Sequence, residues 1–336
     1  MALGLITGDK IVRLVWWTGL KKVASTFHAK LLKPEQFVHE FLTDLAKIGS
    51  LKKVLGEKPL EPFGADNSEL SERYYTSKKN YSQAIRSFFI DPTPFIKETK
   101  ITPLLPAESF HNNNPTPNET WFFLNGIGTN EDMAKVNAQM LSKIFKRPIT
   151  PLHNPTNGFK HDLIEVMKGR TFDQNTSIAK TTRDHIRREL KKMAVKLESA
   201  DEDVKSTYKV VVIAHSQGGV IISNVVRMLI QDPSCNSLLD HLEVYTFASA
   251  HDEYPSPWAV KDEQKVPFTE HFANDNDYIA EVGVLNSVGK TAGKVYVKGG
   301  AGHLLNYHYL RDFDEGKYEG HSGSGSRLHT LRGGNR

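Results

Sequence analysis

One cysteine, Cys235, stands in 336 residues, so no disulfide can form within the chain. A disulfide-stapled secreted scaffold therefore has no support. No apolar run approaches the roughly 20 residues that a membrane-spanning helix needs. The N-terminus does not read as a signal peptide, because Asp9, Lys10 and Arg13 interrupt its apolar stretch. The expectation is a cytoplasmic protein, soluble or held peripherally at a membrane. The sequons at Asn80, Asn118 and Asn175 then read as chance. The 14 histidines form no H-E-x-x-H pair and have no cysteine partner, so no metal and no cofactor are expected. Gly289-Lys290-Thr291 lies one residue too far from Gly283 for a phosphate-binding loop. A calcium loop starting at Asp275 fails because Ile279 and Ala280 stand where a ligand and a glycine are required.

Charge is also scarce in one direction. The net charge is +4, yet residues 1–60 alone carry ten Lys/Arg against five Asp/Glu. The basic excess thus belongs to the N-terminal segment and not to a face spread over the fold, and nucleic acid is not an expected partner.

What is present is an alternating pattern. Apolar residues at helical spacing, among them Val12, Val15, Trp16, Val23 and Phe27, then Phe37, Phe41, Leu45 and Ile48, predict amphipathic helices near the N-terminus. The run from His111 to Pro117 reads as a loop and a boundary. The organisation expected is an N-terminal helical extension over 1–115, a core over 116–315, and a flexible Gly/Ser-rich tail over 316–336.

Within the core, strands are predicted at Trp121–Leu124, Pro148–Leu152, Val210–Ala214, Leu242–Phe247, Thr269–Ala273 and Lys294–Val297. Helical faces fall between them at Met133, Val136, Met140, Leu141 and Ile144, at Ile186, Leu190, Met193 and Leu197, and at Ile221, Val225, Met228 and Leu229. Thr129 and Asp132 resemble a capping box for the first of these helices. Strands alternating with helices predict an α/β fold, a mostly parallel sheet covered on both faces.

Ala214-His215-Ser216-Gln217-Gly218-Gly219 joins a wholly apolar strand to a helix. It resembles a nucleophile elbow, in which a serine is lifted from the sheet on a strained turn and small residues flank it at two positions' distance. The Gln217 amide at the helix start is a candidate oxyanion donor, and His215 is expected to pack or support. A second donor is expected from the loop Asn125-Gly126-Ile127-Gly128-Thr129, at Ile127 or Gly128.

The acid and the base should follow in chain order. His303, after three glycines, is the expected base, with His308 as the alternative. Asp277 is the expected acid, with Asp275 and Asp252 as alternatives.

Phe123-Leu124-Asn125-Gly126-Ile127, Asn154-Pro155-Thr156-Asn157-Gly158, Ala214 to Gly219, Val244 to Ala248, His271 to Asn274 with Asp277 to Ala280, and Gly302 to Leu310 together resemble microbial lipase-like serine esterases of the α/β-hydrolase superfamily. The resemblance covers about residues 120–312. It implies an ester hydrolase with Ser216, Asp277 and His303 as its triad, and it names no substrate. Ala248 departs from the glycine common in related enzymes.

The interval from Ser249 to Pro267 is too short for a cap domain, so the N-terminal helices are the expected lid. Trp16, Trp17 and Leu20 among Arg13, Lys21 and Lys22 fit either an anionic membrane surface or core packing. The expected partner is a small-molecule or lipid ester. The competing readings are a non-catalytic binding protein on the same fold, or a thioesterase or amidase using the same residues.

Overall fold

A computed structural model describes residues 52–89, 102–103, 114–155, 177–255, 265–318 and 325–335. The helices expected between Ile11 and Ile48, with Trp16 and Trp17, lie outside these residues, as do His111 to Asn113 and the middle of the interval after Ser249.

The described strands form one sheet. The edge strand β1 (Thr102–Pro103), antiparallel to β3, is followed by β2 (Glu119–Leu124), β3 (Ile149–His153), β4 (Lys209–His215), β5 (Leu242–Phe247), β6 (Phe268–Asn276) and β7 (Lys294–Ala301). Their spatial order is β1-β3-β2-β4-β5-β6-β7, and from β3 to β7 every pairing is parallel. The helices used below are α1 (Lys78–Phe89), α2 (Glu131–Phe145), α3 (Ser177–Glu198), α4 (Gln217–Ile230), α5 (Tyr278–Val282), α6 (Arg311–Asp314) and α7 (Arg327–Thr330).

The period of two along each strand divides the core. Phe122 and Leu124 of β2 share one cluster with Val210, Val212 and Ala214 of β4, packed under Ile186 and Leu190 of α3 and Ile222 and Val225 of α4. Trp121, Phe123, Val211 and Ile213 point the other way, against Leu141 and Phe145 of α2 and Leu310 and Phe313 near the C-terminus. A strand buried on both faces must be apolar throughout, which is why Val210 to Ala214 has no polar break.

The capping expectation shifts by one residue. Asn130, not Thr129, is the N-cap of α2, and its side chain accepts from the Met133 amide.

The tail also departs from expectation. Residues 325–335 are docked, with Leu328 and Leu331 buried in the core. Glu270 receives the Ser326 hydroxyl and the amides of Arg327 and Leu328, and Arg327 pairs with Glu243 at 2.7 Å. Arg147, itself paired with buried Glu119, donates to the carbonyls of Leu331 and Asn335. Composition averaged over the segment hides two leucines and a capping serine whose partners lie at the N-terminal ends of β2, β5 and β6.

Strand order reverses between β2, whose chain continues to β3 on one side, and β4, on the other. Such a reversal opens a crevice at the C-terminal ends of the strands. Gly126 follows β2 there and Ser216 follows β4.

Candidate active site

Ser216 has φ 57° and ψ −122°, a positive φ that side chains rarely adopt. Three backbone bonds fix it: its amide donates to Phe247 at 3.1 Å, and its carbonyl accepts from Gly219 at 2.9 Å and Ala250 at 3.2 Å. The small neighbours are required by close approach. A Cβ on Gly218 would stand 2.5 Å from the Leu124 carbonyl oxygen, and one on Gly126 would stand 2.6 Å from the Ser216 Cβ. Ala248 is likewise held at φ 51°, the left-handed region that explains why glycine suits that position.

The Ser216 Oγ lies 2.8 Å from His303 Nε2. His303 Nδ1 in turn lies 2.8 and 3.0 Å from the two carboxylate oxygens of Asp277. With Nδ1–H donated to Asp277, Nε2 is left as the acceptor for the serine hydroxyl. All three residues are buried, Ser216 at 3%, His303 at 4% and Asp277 at 0% exposure.

Asp277 caps α5, accepting from the Ile279 amide at 2.9 Å, and receives the Tyr309 hydroxyl at 2.6 Å. The carboxylate is thus saturated with donors, which fixes its direction toward the imidazole.

The other candidates lie elsewhere. Asp275 is exposed at the irregular end of β6, where it accepts from the Gly300 amide at 2.9 Å. Asp252 follows β5 in a half-buried bend, away from the His303 Nδ1 contact. His308 does not face the serine. Its Nδ1 accepts from the Leu304 amide and its Nε2 donates to the Leu55 carbonyl, and burial pushes it down to about 4. It therefore holds the loop as a neutral ring.

His215 has the supporting place expected of it. Its Nε2 donates to the His303 carbonyl at 2.9 Å, and burial, with His303 beside it, keeps its proton affinity well below that of a free imidazole.

Gln217 opens α4, where first-turn amides have no partner within the helix. Its side chain is fixed by Asn154, whose Nδ2 donates to Gln217 Oε1 at 2.9 Å. The Asn154 amide donates to Asn125 Oδ1 at 2.8 Å, and Asn125 Nδ2 donates to the carbonyls of Gly126 and Asn154. This buried amide network ties the ends of β2 and β3 to the start of α4. Gly128, at φ 72°, turns the chain past Ile127.

Asn125, Asn154 and Tyr309 carried no assigned role in the sequence reading. Their partners are backbone groups or residues far away in the chain, and spacing does not reveal those. Among the described residues, no cluster of three or more His, Cys, Asp or Glu is placed to hold a metal ion, and no helix is long and apolar enough to cross a membrane.

Residues 122–254 match the family described as "Putative serine esterase (DUF676)". No curated protein matches the chain. Among solved structures, the hyperthermophilic esterase from the archaeon Pyrobaculum calidifontis is 9% identical, over 58% of this chain and 72% of its own, at a TM-score of 0.38. The carboxylesterase EstE1, cloned from a metagenomic library, is 10% identical over 66% and 84%, at 0.37. The Francisella virulence factor BioJ is 13% identical over 74% and 87%, at 0.35. These likenesses are too distant to carry substrate or site residues across. The family match spans β2 through β5 with Ser216, and stops before Asp277 and His303. A segment of the chain, on a mostly parallel sheet flanked by helices, is thus similar to a family described as putative serine esterases.

Proposed function

We propose that the protein hydrolyses carboxylic esters through an acyl-enzyme on Ser216. The observation that carries this reading is the unbroken line from Ser216 Oγ to His303 to Asp277, with the serine on a strained turn. Ser216 Oγ attacks the ester carbonyl carbon while its proton passes to His303 Nε2. The amides of Gln217 and of Ile127 or Gly128 receive the negative oxygen, with the positive end of α4 behind them. As the carbon–alkoxy bond breaks, His303 returns the proton to the leaving oxygen. Water then repeats the sequence on the acyl-enzyme and restores the serine. Asp277 keeps the imidazole in its tautomer and stabilises the imidazolium.

An apolar ester is favoured, extending to lipid esters. Phe88 and Phe89 of α1, with Leu70, pack in one cluster with Ile127, Ile279, Leu304 and Tyr307, which neighbour the donor loop, the acid and the base. A lid formed by the N-terminal extension would rest on this cluster.

The test uses p-nitrophenyl esters of graded chain length and a fluorophosphonate probe on the full chain. Wild type should hydrolyse the esters and become labelled, and Ser216→Ala should do neither. Labelling that persists in Ser216→Ala, or its absence in wild type, would overturn the assignment. A thioester or amide substrate would use the same residues, so the panel includes one of each.

A further inference from the structure

Glu69 is buried, 2% exposed, and belongs to the N-terminal extension, far in sequence from the catalytic loops. Its two oxygens accept from consecutive backbone amides, Oε1 from Asn306 at 3.2 Å and Oε2 from Tyr307 at 3.3 Å. Those amides open the π-helical turn Leu305–Leu310, which begins two residues after His303 and carries Tyr309. Two further bonds from the same extension reach this loop. The His303 amide donates to the Val54 carbonyl at 2.8 Å, and His308 Nε2 donates to the Leu55 carbonyl at 3.1 Å. No Lys or Arg of the described residues forms an ion pair with Glu69.

Resting on the proposed hydrolase reading, we propose that Glu69 is a positioning residue for His303: its ionised carboxylate holds the Asn306 and Tyr307 amides and through them fixes the loop that carries the imidazole. Protonation turns one of the two acceptors into a hydroxyl and weakens that bond. Burial raises the carboxyl to about 7, so the change falls near neutral pH.

Other titratable groups face it from the elements packed around it. Tyr75 donates its hydroxyl to the Glu69 carbonyl, and burial raises both Tyr75 and Tyr81; Asp132 faces Tyr75 from α2. On the other side Tyr307 is raised by burial, Glu61 is lowered chiefly by its bond to Tyr307, Arg311 is raised, and His308 is down at about 4.

The sign is fixed by the direction of the shift. A carboxyl raised in the fold adds stability while protonated, and that stability is lost as pH rises through about 7. The protein therefore gives up stability above neutral pH for an oriented base.

The experiment compares the full-length wild type with Glu69→Gln. Glutamine keeps one acceptor and turns a donor toward the other amide, so it imitates the protonated state at every pH. The ratio of the wild-type to the Glu69→Gln fluorophosphonate labelling rate should climb from about one well below pH 7 to a plateau above it. Above pH 8 the variant should label about tenfold more slowly. The Asn306 and Tyr307 amide NMR shifts should titrate near pH 7 in wild type and not in the variant, and this arm needs no turnover. A rate ratio that does not change with pH, or amides that do not titrate in wild type, would overturn the proposal. Titrating amides without labelling would instead refute the hydrolase reading.

Discussion

At Ser216 the backbone occupies a region that costs about 1–3 kcal/mol, and it persists because β5 and the start of α4 fix the residue from several sides. The strain lifts the hydroxyl to His303. The same tightness continues to Asp277, where Tyr309 donates at 2.6 Å to an oxygen that also faces His303. Tyr309→Phe removes that donor without removing the ring that packs against Phe247 and Tyr318. Asp277 then carries more negative charge toward the imidazolium. The expected result is an acid limb of the rate profile moved to higher pH, with a loss of about tenfold at neutral pH. A profile displaced to lower pH, measured by ester hydrolysis, would contradict this role.

At the scale of elements, the apolar runs announce the sheet, because a parallel strand under helices on both sides tolerates no polar break. The elbow is legible for the same reason: a strand, a serine and small residues must follow one another directly. The loops of the proposed acid and base were legible only as sets of candidates. Asp275 and Asp277 are two residues apart, and the sequence does not say that a bulge turns the first to solvent while the second caps α5. Glu69 was not legible at all, since its partners are backbone amides, which have no residue type. The loop after β2 offers the sharpest test at this scale. Gly126→Ala places a methyl 2.6 Å from the Ser216 Cβ and 3.1 Å from its Oγ, so the donor loop must retreat. Labelling and hydrolysis should fall by about 100-fold, as for loss of an oxyanion donor. The melting temperature should fall by only a few degrees, as for an overpacked site costing about 1–3 kcal/mol.

Across the whole molecule, the two ends of the sheet do different work. Ser216, the loop of His303 and the N-terminal extension meet at the C-terminal ends of the strands. At the opposite ends, Glu119, Glu243 and Glu270 meet Arg147 and Arg327 and secure the last residues of the chain. Removing residues 325–336 would expose the sites of Leu328 and Leu331, at about 1.5–3 kcal/mol each. It would also leave Glu243 without Arg327 and take from Glu270 three donors, keeping the Tyr296 hydroxyl. A loss of about 5 kcal/mol or more, and about 10 °C or more in melting temperature, is expected by thermal unfolding. Below that transition the labelling rate should stay near that of wild type. Equal stability of the shortened and full chains would refute this role for residues 325–335.

The carbonyl of Val54 that receives the His303 amide is among the first described residues to leave the ribosome, and its guest is among the last. A nascent chain holds the cradle long before it holds the imidazole. On the proposed reading, a polypeptide that has not yet reached residue 303 has a nucleophile without its base.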